Sequence, residues 1–113
     1  MDARIRALEE LIVECWETAE EKGFHNTKAT ATERLMLIVS EAVEAMEELR
    51  NGNSPVARAI VNGKPEGFGS ELADIIIRVF DLAITERIDL AKEILEKMAY
   101  NRTRPQLHGG KKF

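Results

Sequence analysis

The chain has 113 residues, the length of one ordinary domain, so we expect a single domain spanning residues 1–113. Apolar residues account for 44% of the sequence and charged residues for 32%, a balance that excludes an intrinsically disordered chain. The net charge of -4 opposes long-range attraction to nucleic acid or to anionic lipid, so neither is an expected partner.

No feature of the sequence indicates a membrane or an oxidising compartment. No stretch is long and apolar enough to span a bilayer, and the first residues, MDARIRALEE, lack the apolar centre of a signal peptide. The single cysteine, Cys15, cannot form an intramolecular disulfide and lies in an apolar helical stripe. We therefore expect a cytoplasmic protein with a free thiol in its core.

The first half of the chain has the patterns of two amphipathic helices. The first helix is expected to begin after Asp2, its N-cap, and to end at Gly23. The second is expected to begin at the capping box of Thr30 and Glu33 and to end before residues 51–52. Its apolar stripe consists of Leu35, Val39, Ala42, Met46 and Leu49.

Residues 51–69 interrupt the helical pattern. They contain two Asn-Gly pairs, two prolines and four of the chain's seven glycines, so we expect a long loop that could include a short helical turn at residues 56–61. A third helix is expected from its N-cap, Ser70, to about residue 87, because apolar residues recur at helical spacing there.

A fourth helix is expected from its N-cap, Asp89, to about Arg102, and residues 104–113 form a C-terminal tail. The chain has no strand-like alternation of useful length, so the expected fold class is all-α. Four helices in a chain this short would leave much apolar surface in water, which favours oligomerisation.

Two pairs of acidic residues stand on two of these helices. Glu41 and Glu44 are three residues apart on the second helix, and Glu71 and Asp74 are three apart on the third. Residues at this spacing are neighbours on one helix surface, and adjacent like charges require solvent or a cation. If the helices pack antiparallel with these faces together, the four oxygen ligands suit Mg²⁺ or Mn²⁺ better than Zn²⁺.

A solvated acidic face is the alternative for each pair. Glu41, Glu44 and Glu48 lie away from the apolar stripe of their helix, as solvent-facing acids do. The third helix differs, because apolar residues cover more than half of its circumference and leave one narrow polar strip. This strip consists of Glu71, Asp74, Arg78 and Asp81. A helix so widely apolar is packed on several sides, so its strip is expected in a cleft or against another helix.

The fourth helix and the tail carry a basic edge. Lys97 and Asn101 are four residues apart, and Arg104 falls near the same edge. The tail adds His108, Gly109, Gly110, Lys111 and Lys112. Together these residues could give an acidic protein a local anion site. The alternative is that the Lys97 stem covers apolar surface, Asn101 ends the helix and the tail is disordered.

Aromatic residues near the acidic pairs are candidates for stacking on a nucleobase. They are Trp16, Phe24, His25 and Phe68. Core packing is the alternative for Trp16, and a simple loop position is the alternative for His25.

Three segments, in order, carry a family resemblance: SEAVEAMEE, GFGSELADIIIRVFDLA and EKMAYNRTRPQLHGGKKF. From about residue 24 to the C-terminus the chain resembles the MazG-like nucleotide pyrophosphohydrolases of the all-α NTP pyrophosphatase superfamily. The family motif, ExxE followed after a spacer by ExxD, matches the two acidic pairs. The commoner form of the motif begins with two adjacent acids, whereas Ser40 precedes Glu41 in this chain.

The resemblance implies a four-helix MazG-like bundle completed by a homodimer or homotetramer. It also implies that Glu41, Glu44, Glu71 and Asp74 bind Mg²⁺, with Mn²⁺ as a substitute. Lys97 and Asn101, together with Arg104, match positions that contact the triphosphate in relatives.

The implied activity is magnesium-dependent hydrolysis of a (d)NTP to the (d)NMP and pyrophosphate, as in nucleotide-pool housecleaning. In this reaction Glu41 or Glu44 is the expected catalytic base. One rival is a non-catalytic helical dimerisation module, whose acids only maintain solubility. The other is a metal-dependent phosphohydrolase of different specificity, which would release orthophosphate or act on a phosphorylated sugar.

Overall fold

The computed structural model of the chain describes residues 2–105. Four α-helices and one short hairpin make up the described part, which confirms the expected all-α class. The helices are α1 (Ala3–Glu21), α2 (Ala31–Arg50), α3 (Phe68–Thr85) and α4 (Leu90–Thr103). A single 3₁₀ turn (Phe24–Asn26) joins α1 to α2, and strands β1 (Ala59–Val61) and β2 (Lys64–Glu66) precede α3.

Side-chain caps begin three of the four helices where the sequence predicts them. Asp2 accepts a hydrogen bond from the backbone N–H of Arg4, and Asp89 accepts one from the backbone N–H of Lys92. The capping box at the start of α2 has both of its hydrogen bonds. Each cap satisfies a backbone N–H that the first helical turn leaves without a partner, so these helix boundaries follow from local sequence.

The predicted start of α3 was wrong. The helix begins at Phe68, two residues before the expected N-cap, and Gly67 stands at the cap position without a side-chain hydrogen bond. Ser70 lies inside the first turn, and its hydroxyl donates to the carbonyl oxygen of Pro65 at 3.1 Å. Ser70 therefore ties the helix to the preceding hairpin instead of capping it.

The hairpin replaces the helical turn that could have occupied residues 56–61. Strands β1 and β2 pair antiparallel, with Val61 opposite Lys64. The two residues between them, Asn62 and Gly63, both have positive φ angles, of 53° and 79°. This is the conformation of a two-residue hairpin turn, for which Asn-Gly is the preferred sequence. The Asn-Gly pair was thus the signal for a hairpin.

Helix α3 occupies the centre of the fold. It packs against both α2 and α1, while α4 packs on α1. Helices α2 and α3 are antiparallel, because Arg34 near the start of α2 approaches Asp81, whereas Glu41 farther along α2 contacts Arg78. The polar strip of α3 therefore faces α2, as the breadth of its apolar surface predicted.

The core of the described chain is small. Only five apolar residues are buried, and they are Ile12, Ala19, Ala45, Ala83 and Ala91. The apolar stripe of α2 is largely exposed, and its large members Leu35, Val39 and Met46 are 54%, 45% and 46% exposed. Cys15 is half-buried and unpaired, so it lies at the edge of this core. None of the helices within residues 2–105 has the length and apolar character needed to cross a bilayer.

Candidate metal centre

Three carboxyl groups from two helices converge at the end of the α2–α3 interface nearest the hairpin. Glu41 and Glu44 lie one turn apart on α2, and Glu71 lies in the first turn of α3. Each offers one carboxylate oxygen, and these oxygens all lie within 4.8 Å of one another. These three residues are termed the acid cluster. The antiparallel packing of two helices thus brings together side chains that are 27 to 30 positions apart in sequence.

The surroundings of the cluster differ from a solvated acidic face. The side chain of Glu41 is only 13% exposed, although Glu44 on the same helix is exposed. One oxygen of Glu71, Oε2, is buried and has no hydrogen-bond partner among the described residues. A buried acceptor without a partner costs free energy, so Oε2 of Glu71 favours a cation or a hydrogen-bond donor beside it.

Mutual repulsion shows in the pKa values of the cluster. A hydrogen bond with Glu41, and then the charge of Glu41, raise the pKa of Glu44. Burial raises the pKa of Glu71, and the charges of Glu44 and Asp74 raise it further. Carboxyl groups in this state hold protons more readily than isolated acids do, and a bound cation would relieve the same repulsion. The cluster is thus short of positive charge.

Asp74, the fourth predicted ligand, borders the acid cluster one turn farther along α3. It is not one of the three residues whose oxygens lie within 4.8 Å of one another. Burial raises its pKa, and so does the charge of Glu41, whereas Arg78 and Lys64 act in the opposite direction. Asp74 therefore lies within the electric field of the cluster but at its edge.

Among the described residues, Arg78 is the cation that contacts the cluster directly. Its Nε donates a hydrogen bond to Oε1 of Glu41 at 2.9 Å, and its side chain is 44% exposed. The sequence placed Arg78 in the polar strip of α3 without a role, because a partner 37 positions away leaves no mark in local spacing. The pair fixes the Glu41 carboxylate and neutralises one of the converging charges.

The predicted substrate-binding residues of α4 do not join this group within the described chain. Lys97 and Arg104 both lie beside the ring of Tyr100, at 5.9 Å from its centre. Asn101 lies on the same exposed helix end. Among residues 2–105, none of the three forms a side-chain hydrogen bond or an ion pair with an acid of the cluster. The predicted glycine and lysine residues of the tail, with His108, lie outside the described residues.

The aromatic candidates divide between the two ends of the α2–α3 interface. Phe68 lies in the first turn of α3, at the same end as the acid cluster, whereas Trp16, Phe24 and His25 lie toward the opposite end. Trp16 stacks on His25, with ring centres 5.0 Å apart and an interplanar angle of 28°. Phe24 is 65% exposed, and Phe68 is half-buried at the start of α3. None of these positions by itself shows a nucleobase site, and stacking on a base stays a prediction.

His25 is held by carboxylates on both sides of its ring. Its Nδ1 lies 2.5 Å from Glu20 and its Nε2 lies 2.6 Å from Asp81, which Arg34 also approaches at 3.8 Å. A neutral imidazole has only one N–H, so only the protonated ring can donate both hydrogen bonds. The residue therefore ties the turn after α1 to α3, a role that the sequence analysis did not foresee.

Comparison of the chain with protein-family models, curated proteins and solved structures found no match in any of the three. The function is therefore inferred from the residues and their geometry.

The His25 ties predict a pH dependence of stability. Burial lowers the pKa of His25, but its hydrogen bonds to Glu20 and Asp81 outweigh burial and leave the pKa above its ordinary value of 6.5. Because the folded state holds this proton more tightly than the unfolded state, the contribution is complete below pH 6.5 and is lost as the pH rises through the folded-state pKa.

We expect the wild-type protein to have a larger free energy of unfolding than His25→Gln. This difference between the two proteins should be larger at pH 6 than at pH 9. Urea unfolding of both proteins at each pH measures this difference, in which the titration of unrelated groups cancels. A difference that stays constant between the two pH values would contradict the protonated, doubly bonded state of His25.

Proposed function

We propose that this protein is a magnesium-dependent nucleoside triphosphate pyrophosphohydrolase of the MazG-like kind. It would convert a (d)NTP and water to the (d)NMP and pyrophosphate, a reaction suited to nucleotide-pool housecleaning. The observation that carries the proposal is the convergence of Glu41, Glu44 and Glu71 from two helices, with oxygens within 4.8 Å of one another. These are residues of the two acidic motifs on which the family resemblance depends.

The donor set of the acid cluster suits a hard divalent cation. All of its ligand atoms are carboxylate oxygens, which Mg²⁺ and Mn²⁺ prefer, and no cysteine or histidine belongs to it. The buried Oε2 of Glu71, which has no hydrogen-bond partner within residues 2–105, supports the same assignment. On this proposal Glu41, Glu44 and Glu71 hold the ion, and Asp74 completes its ligand set.

When bound, Mg²⁺ supplies positive charge opposite the phosphate oxygens and makes a nearby water a better nucleophile. Glu44 is the preferred base that accepts the proton of this water, because it is exposed, whereas Glu41 is held by Arg78. The water oxygen forms a bond to the α-phosphorus while the bond from this phosphorus to the bridging oxygen breaks. The electron pair of the broken bond leaves with pyrophosphate.

The proposed enzyme is a homodimer, or a homotetramer built from dimers. Support comes from the small core, in which four of the five buried apolar residues are alanines. The stripe of α2 adds Leu35, Val39, Met46 and Leu49 to the exposed apolar surface, and a second copy would cover it. In such an assembly α4 of one copy could bring Lys97, Asn101 and Arg104 to the acids of another, as the family resemblance requires.

Two rivals have different consequences. A non-catalytic dimerisation module has no reason to be stabilised by a divalent cation, since its acids would only keep it in solution. A phosphohydrolase of different specificity would need the same metal but would release orthophosphate. Product analysis therefore separates the second rival from the proposal.

Removing the proposed base or a proposed metal ligand should abolish turnover. We expect Glu44→Gln to lower kcat by about 100-fold or more, the usual contribution of a general base, and Asp74→Asn to lower activity in the same direction. Pyrophosphate release from a panel of canonical and modified triphosphates, with Mg²⁺ and with a chelator, measures the effect.

Glu47→Gln is the matched control, because Glu47 is an acid of α2 whose only ion pair among residues 2–105 is a surface pair with Arg50. It should retain wild-type activity. Full activity in Glu44→Gln, or orthophosphate as the only product of the wild-type protein, would contradict the proposal.

A charge in the middle of the α2 stripe should break the dimer. We expect Val39→Glu to weaken association by about 100-fold or more, because an unpaired carboxylate would be buried at the interface. Light scattering coupled to size-exclusion chromatography gives the mass. Val56→Glu makes the same change at a side chain that is 84% exposed in the loop before the hairpin, and should stay dimeric. A monomeric wild-type protein, or an unchanged mass for Val39→Glu, would refute this part of the proposal.

A further inference from the structure

The hairpin and the first half of α3 enclose a cleft that the family resemblance does not assign. Its volume is about 570 Å³, within the range of small-molecule sites. Two cations of the hairpin region, Arg58 and Lys64, line it together with the acids Glu66, Glu71 and Asp74. The cleft is therefore a mixed-charge site and not a uniformly acidic surface.

The cleft is continuous with the proposed metal centre. Glu71 belongs to the acid cluster and Asp74 borders it, and both residues also line the cleft. Lys64 is near enough to Asp74 for its charge to oppose the rise in the pKa of that carboxyl group. A molecule in the cleft would therefore meet the two cations on one side and the metal ligands on the other.

The hairpin that carries these cations is fixed against α3. The hydroxyl of Ser70 donates to the carbonyl oxygen of Pro65 at 3.1 Å. Gly67 has a φ of 123°, and a Cβ at this position would lie 2.5 Å from the carbonyl oxygen of Ala57. The two backbone segments that flank the hairpin thus approach each other so closely that only glycine fits at residue 67. This contact and the Ser70 hydrogen bond fix the backbone from which the two cations extend.

Neither cation has a strong ion pair within the described residues, so both can bind an anionic ligand. Among the described residues, Arg58 forms no ion pair, and Lys64 has only a 3.6 Å contact with Glu66. The Lys64 side chain is 75% exposed, so this surface pair contributes little to stability. Guanidinium and ammonium groups beside a divalent-cation site are the groups that proteins use to bind polyphosphates.

We propose that Arg58 and Lys64 bind the phosphate chain of the substrate in this cleft, beside the ion held by the acid cluster. The inference rests on the proposed function and extends it, because it assigns phosphate binding to the hairpin in addition to the basic edge of α4. It gives the hairpin a role in substrate affinity and makes it part of the site.

Equilibrium binding of inorganic tripolyphosphate tests the inference without depending on turnover. Calorimetric titration in the presence of Mn²⁺ is compared for the wild-type protein, Arg58→Gln, Lys64→Gln and the double variant. We expect each single substitution to weaken tripolyphosphate binding by about 10-fold or more, the effect of losing one charge-assisted hydrogen bond, and the double variant to be weaker still. Binding of Mn²⁺ alone should remain within about twofold of wild type, which also reports that the variants fold.

Lys92→Gln is the matched control, because Lys92 is an exposed cation of α4 whose only ion pair in the described chain is with Glu96. It should bind tripolyphosphate as the wild-type protein does. Unchanged binding in the double variant would overturn the inference. If the wild-type protein binds Mn²⁺ but not tripolyphosphate, the inference also fails while the metal site stands. Absence of both Mn²⁺ binding and pyrophosphate release would instead refute the proposed function.

Discussion

Carboxylates from two antiparallel helices meet at the α2–α3 junction, and their mutual repulsion sets the electrostatics of the candidate site. Glu41 and Glu44 come from α2 and Glu71 comes from α3, and the pairing of these helices brings their carboxylate oxygens within 4.8 Å of one another. Such a group lowers the stability of the fold unless protons or a cation offset it. Proteins retain features of this kind at functional sites, where local instability serves binding or catalysis.

Charge balance changes along the same interface. At the end distant from the hairpin, Asp81 lies between His25 and Arg34, so this acid is matched by two cationic partners. In the middle, Arg78 neutralises Glu41. Near the hairpin, carboxylates outnumber the cations within residues 2–105 that contact them. The interface is therefore charge-balanced at one end, whereas the other end carries the excess negative charge that a divalent cation would offset on the proposed function.

Local features of the fold could be predicted from the sequence, whereas long-range contacts could not. The caps at Asp2, Thr30 and Asp89 follow from side-chain hydrogen bonds to the next few backbone N–H groups. The hairpin was missed although Asn62-Gly63 is its usual turn, because the two strands are only three residues long and do not alternate visibly.

The candidate site likewise has features that the sequence predicts and contacts that it does not predict. Spacing and the breadth of the apolar surface of α3 indicated that its acidic strip faces another helix, and it does. The partners of that strip depend on tertiary packing: the contact of Arg78 with Glu41 spans 37 positions and that of His25 with Asp81 spans 56. The position of Arg58 and Lys64 beside Glu71 likewise follows from how the hairpin folds onto α3, which no local pattern encodes.

Thermal unfolding of the wild-type protein and of Glu71→Gln, each with a chelator and with Mn²⁺, shows whether the acid cluster binds a divalent cation. With the chelator, Glu71→Gln should have the higher Tm, because it removes a half-buried charge that Glu44 and Asp74 repel. With Mn²⁺ at about 100 times its Kd, the wild-type protein should gain about 2.7 kcal/mol, and Glu71→Gln should gain much less. Equal responses of the two proteins to Mn²⁺, or none in the wild type, would contradict the account.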